Sequence, residues 1–193
     1  MQMAGERKQQ ILETLAKMLE SPKREKITTA ALAARLEVSE AALYRHFANK
    51  AQMFEGLILF IEETIFGLIN KISGEEADGL RQAQRIIMML LVFAEKNPGM
   101  TRVLIGDALV NEDEKLQLRM NQLYDRIEVT LKQSLRIAQA QADNKGNAEA
   151  QANLMLCYVV GRWHQFTKSG FKRKPTEFVQ QQITTLLNIE SFN

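Results

Sequence analysis

Residues Ile27 to Lys50 read ITTAALAARLEVSEAALYRHFANK, and the fold turns on this stretch. Thr28 or Thr29 can cap a short helix carrying Ala31, Leu32 and Leu36, since a threonine oxygen accepts from the free amides of a first turn. After a tight turn, Ser39 can cap a second short helix with Ala42, Leu43 and Phe47 on its inner side. Helix, turn, helix is an arrangement that places a recognition helix in a major groove. Ala31 and Ala34 are small enough for the two helices to cross closely. Leu32, Leu36, Val38, Leu43 and Phe47 then make a miniature core that fixes the angle. The outward positions of the second helix are Glu40, Ala41, Tyr44 and Arg45. Ala41 and Ala42 suit apolar contact with thymine methyls, and Arg45 suits a guanine edge or a phosphate. Thr28, Thr29, Tyr44, His46 and Lys50 carry donors that would hold phosphates on either side. Spacing alone also fits two packed helices with an exposed polar face.

Outward from this segment the pattern is helical almost throughout. Ile11, Leu12, Leu15, Met18 and Leu19 predict a helix over 6–20, stopped by Ser21-Pro22 and followed by the basic loop Lys23-Arg24-Glu25-Lys26. Asn49 can cap a fourth helix from Lys50 to about Lys71, with the stripe Met53, Phe54, Leu57, Ile58, Ile61, Ile65 and Leu68 and a break at Ser73-Gly74. A fifth helix is expected over 79–96. Asn97-Pro98-Gly99 marks a stop and restart, with Pro98 in the first turn of a short sixth helix reaching about Ile105. A seventh is expected over 112–143, a loop over 143–147, an eighth over 148–168, and a ninth opening at Lys174-Pro175-Thr176 and ending near Asn188. No alternating run suggests strands, so the expected class is all-α with about nine helices.

Hydrophobic residues make up 46% and charged residues 25% of the 193, ordinary for a globular protein. The longest apolar run, Ile86 to Ala94, falls far short of the roughly 20 residues of a membrane span. The first ten residues lack the apolar core of a signal peptide. Cys157 is a single cysteine and builds no disulfide framework, which fits a reducing cytoplasm. Residues 1–50 hold nine Lys+Arg against six Asp+Glu, and this basic excess points to a polyanion. No Ser-His-Asp order, phosphate loop or carboxylate pair stands out, so neither an enzyme nor a cofactor is expected. Cys157 reads as a buried small apolar residue and the lone His164 as structural. Met88, Met89, Phe93, Trp163 and Phe166 would line a ligand pocket if one existed, though such residues at helical spacing are usually core.

The segment SEAALYRHFANK resembles the recognition helix of TetR-family regulators. The resemblance implies that Tyr44, His46 and Lys50 grip the phosphate backbone of double-stranded DNA. It also implies a TetR-like plan: a helix-turn-helix domain over 1–50, and a helical regulatory domain over 51–193 that makes a homodimer through its last two helices. Many relatives carry glycine in the turn where this chain has Glu37, at a cost of about 1 kcal/mol if the backbone there is left-handed.

Further segments, ILETLAKMLES, ITTAALAA, MFEGLILFIEE, FAEKNPGMTRVLIGDAL and MNQLYDRIE, are similar to the nucleoid-occlusion branch of that family. This implies a nucleoid-associated protein that binds palindromic sites, with more than one dimer per site possible, and antagonises the division protein FtsZ. The FtsZ C-terminal tail would lie between the fourth and fifth helices, against Phe60 and against Met89, Val92, Lys96 and Asn97. Two positions depart from the relatives: Leu68 stands where they have arginine, and Val92 where they have glycine. The competing reading is a ligand-responsive repressor of metabolic or efflux genes.

Overall fold

The computed structural model describes residues 2–21, 27–110, 112–142 and 146–187, with side chains from Gly5 onward. The loop Lys23-Arg24-Glu25-Lys26, the stop at Pro22, the segment 143–145 and the expected end at Asn188 lie outside the described residues. Among the described residues there are nine α-helices and no strand: α1 Gln2–Leu19, α2 Thr29–Arg35, α3 Glu40–Tyr44, α4 Lys50–Glu75, α5 Gly79–Lys96, α6 Pro98–Leu104, α7 Glu114–Ala142, α8 Ala148–Lys168 and α9 Val179–Leu187. A short 3-10 helix, Asp107–Leu109, follows Gly106, whose φ is 75°. None of these helices is long and apolar enough to cross a membrane.

Most expected elements are present, and the exceptions have physical causes. Helix α4 runs through Ser73-Gly74. A glycine inside a helix costs only about 1 kcal/mol, and buried Ile69 and Ile72 hold this turn against the core. Leu68 leaves the stripe at 39% exposure, and Ile69 takes its place at 1%. That fits the true helical period, since Ile61, Ile65, Ile69 and Ile72 step by four and three. Helix α9 starts three residues after the expected opening, because Phe178 takes a left-handed φ of 61° just before it. Cys157 is exposed, not buried. His164 is also exposed. Phe93, Trp163 and Phe166 are core, and the Trp163 indole donates to the Leu90 carbonyl at 3.2 Å.

The helices form two compact units. One comprises the residues up to Glu62 and Asn97–Met120, and the other comprises Glu63–Lys96 and the residues from Asn121 on. In the first, α1 buries Ile11, Leu15, Ala16 and Leu19 and packs on α6. Buried Arg102 on α6 donates to the carbonyls of Leu19 at 3.2 Å and Ser21 at 3.4 Å and pairs with Asp107 at 3.0 Å. A cation thus satisfies the open carbonyls at the end of α1. In the second unit α5 packs on α8, and α5 buries Ile86, Ile87, Leu90, Leu91 and Ala94. Gly79 lies so close to α7 that a Cβ would sit 2.3 Å from the Ser134 carbonyl oxygen.

Candidate nucleic-acid interface

The interface is built from α2, α3 and the start of α4. The Thr28 oxygen accepts from the Ala31 amide at 3.1 Å and caps α2. The end of α2 is closed by two backbone bonds, Val38 N–H to the Ala33 carbonyl at 3.0 Å and Glu37 N–H to the Ala34 carbonyl at 3.1 Å. This is a Schellman closure, which needs a left-handed residue at its centre, and Glu37 supplies it with φ 56°. The backbone there is therefore left-handed, with a non-glycine residue in it. Ser39 caps α3 by accepting from the Ala42 amide at 3.3 Å.

Leu32, Ala33, Leu43 and Phe47 are buried and set the crossing. Here the expectation for Ala31 and Ala34 is corrected: both are exposed, and Ala33 is the buried alanine of α2. The cap at Thr28 fixes the helix phase, and that phase turns Ala33 inward beside Leu32. Polar bonds add a second link between the helices. The Thr29 hydroxyl donates to the Glu40 carboxylate at 2.6 Å, and the Tyr44 hydroxyl donates to the Thr29 oxygen at 3.4 Å. Glu40 thus braces α3 against α2 while remaining exposed. Ala41, Tyr44 and Arg45 are exposed, and Ala42 and His46 are half-buried.

The Asn49 side-chain oxygen accepts from the Gln52 amide at 2.9 Å, and the Gln52 side-chain oxygen in turn accepts from the Ala48 amide at 2.9 Å. This reciprocal pair starts α4. Lys50, the first residue of α4, is hydrogen-bonded and ion-paired to Glu112, and its ammonium lies 5.5 Å from the Phe54 ring centre. Lys8 covers Phe47 in the same way at 5.6 Å. Sequence reasoning named Lys50 and missed Glu112 and Lys8. Glu112 is 62 positions away, and nothing local to Lys50 announces it.

Phe60 is half-buried on α4 in the first unit, and Asn97 precedes α6 as its N-cap residue rather than extending α5. In the second unit Leu68 is exposed on α4. Met89, Val92 and Lys96 step by three and four along α5, on the side away from buried Ile87, Leu90 and Ala94. Met89 and Val92 are half-buried and Lys96 is exposed. Among the described residues no three His, Cys, Asp or Glu side chains are grouped to hold a metal ion.

A capped helix-turn-helix followed by a larger helical body is the plan of TetR-type proteins. Two family models match: "Bacterial regulatory proteins, tetR family" over residues 24–57, and the SlmA-like "Tetracyclin repressor-like, C-terminal domain" over 77–190. The chain is 52% identical over 178 residues to nucleoid occlusion factor SlmA of Alteromonas mediterranea, covering 91% of each. It is 50% identical over 187 residues to that of Shewanella pealeana, covering 92% of this chain and 94% of the relative. The chain belongs to the SlmA family of nucleoid occlusion factors within the TetR family. Among solved structures, the TetR-family regulator PfmR of Thermus thermophilus shares the fold with a TM-score of 0.77 at 23% identity, covering 94% of this chain and 99% of that one.

Proposed function

We propose that the protein is a homodimer that reads palindromic chromosomal sites through α3 and, while bound, antagonises FtsZ assembly, so that the septum does not close over the nucleoid. The observation that carries the DNA half is the braced α3: it is locked to α2 by Thr29, Glu40 and Tyr44, and it leaves Ala41 and Arg45 exposed. A preorganised recognition helix spends little entropy on docking. In this reading residues 1–50 dock DNA and 51–193 carry dimerisation and partner binding, and the protein resides on the nucleoid. A second subunit finds support on α8. Leu154, Cys157, Gly161 and His164 form an exposed stripe there, and no heavy atom lies within 4 Å of a Cβ built at Gly161. A two-fold pair matches a palindrome, and several dimers on one site would raise avidity for a filament.

Lys50 must leave Glu112 to reach a phosphate. Glu112→Gln removes that competing charge and is expected to raise DNA affinity about two- to fivefold, with a steeper salt dependence, in an anisotropy titration. A variant that binds no better than wild type would show that Lys50 stays on α7's leading loop.

The outer face of α5 is the proposed contact for the FtsZ tail, with Met89 and Val92 giving apolar surface and Lys96 a cation for its acidic residues. Phe60 and Asn97 of the first unit, and Leu68, are separate candidates from the resemblance. The test is a pull-down of FtsZ by the DNA-bound protein, with full-length and tail-deleted FtsZ, for wild type and Lys96→Glu. Retention only with the tail, reduced about tenfold by Lys96→Glu, is expected. Equal retention of tail-deleted FtsZ overturns the reading.

A further inference from the structure

The connection from α8 to α9 is a rigid basic segment. Phe171 N–H donates to the Phe166 carbonyl at 2.9 Å and Gly170 N–H to the Thr167 carbonyl at 3.2 Å. These are the paired bonds of a Schellman cap, with Gly170 at φ 64° and Phe171 at φ 65°. The Phe171 ring meets Phe166 edge-on at 5.2 Å. The Ser169 oxygen accepts from the amides of Lys172 at 3.1 Å and Arg173 at 2.9 Å. The Arg162 guanidinium donates to the carbonyls of Lys174 and Glu177 at 2.8 Å each and of Pro175 at 3.1 Å. This pinned backbone displays Lys172, Arg173 and Lys174, all exposed. Among the described residues no carboxylate pairs with Lys172 or Arg173.

The segment is fastened to the last turn of α5. The Thr176 hydroxyl donates to the Glu95 carboxylate, and the Lys174 ammonium lies 3.3 Å from it. Thr176 first, and then Lys174, hold the Glu95 carboxyl below the usual carboxylate range. Glu95 precedes Lys96 and follows Val92 by three positions, so it borders the outer face of α5. The basic segment therefore flanks that face at its C-terminal end.

We propose that Lys172, Arg173 and Lys174 are the outer half of the α5 site, so that an acidic peptide lying along Met89, Val92 and Lys96 ends against this segment. The proposal rests on the reading that α5 takes the FtsZ tail. Glu95 partly neutralises Lys174, which leaves Lys172 and Arg173 as the main source of attraction. Because Arg162 and Ser169 already fix the backbone, binding orders only side chains, and electrostatic complementarity sets affinity and salt dependence.

The test is fluorescence anisotropy of a labelled FtsZ tail peptide against the full chain on DNA, at low and physiological salt. The Lys172→Glu/Arg173→Glu double variant should bind about tenfold more weakly at low salt and lose most of its salt dependence. Glu95→Gln, which releases Lys174, should bind about twofold more tightly. All these positions are exposed or half-buried, so the variants should fold, and thermal melts alongside the titrations check it. Unchanged affinity in the double variant, with Lys96→Glu still weakening, overturns this inference and leaves the tail reading standing. A wild-type protein that ignores the peptide removes both. A double variant that loses DNA or phosphatidylglycerol vesicles but keeps the peptide also overturns it.

Discussion

Ala41→Glu should lower affinity for an operator duplex by at least about 100-fold at physiological salt, the equivalent of roughly 2.7 kcal/mol. Ala41 is exposed in the first turn of α3, which Ser39 caps and the Thr29–Glu40 bond holds in place. A carboxylate there would sit among phosphates, and like charges at an interface cost several kcal/mol. It would also remove the methyl that suits a thymine. The fold should not suffer, because an acid near a helix start favours the helix dipole. Thermal melting within about 2 °C of wild type, beside the lost anisotropy signal, is the expected pair of results. A variant that binds normally would mean that α3 does not enter the groove.

Gly99→Val should produce the largest loss of stability, more than about 3 kcal/mol, or a fall in melting temperature of roughly 10 °C. A Cβ at Gly99 would lie 1.9 Å from the Ala16 carbonyl oxygen, which is backbone and cannot swing aside. Helices α1 and α6 would have to separate. That would expose the Ile11, Leu15 and Leu19 face and pull the Leu19 and Ser21 carbonyls away from Arg102. A buried cation without its partners is costly. Gly67, where an added Cβ meets nothing within 4 Å, is the control. Its change to Ala should be neutral or slightly stabilising, by up to about 1 kcal/mol. A Gly99→Val protein that melts like wild type would show that α6 docks elsewhere.

The candidate interface was legible because its information is local. A cap oxygen and the amide it serves lie within three residues, so Ser39 and Asn49 could be named from composition and spacing, and the first cap could be narrowed to Thr28 or Thr29. The turn at Glu37 was flagged by the family resemblance, in which glycine is common at this place. The errors came from features that local rules weigh wrongly. Ser73-Gly74 looked like a stop, but Ile69 and Ile72 bury enough surface to carry α4 past it. Ala31 and Ala34 looked like the crossing residues, but the phase set by the Thr28 cap leaves both exposed and buries Ala33. Cys157 looked apolar enough to be core, yet it lies on the outer face of α8 with Gly161.

The sequence by itself determined the all-helical class, the bounds of α5 and α8, the capped two-helix module and the exposed stripe on α3. Each is written in a periodicity or in contacts a few residues long. Only the tertiary structure decided that Gly99 faces Ala16, that Lys50 is held by Glu112 and that Thr176 and Lys174 close on Glu95. These pairings join distant parts of the chain. Which partner a side chain meets then depends on how whole helices settle against one another, and that outcome follows from the summed packing of many residues, with no short pattern around either partner to specify it.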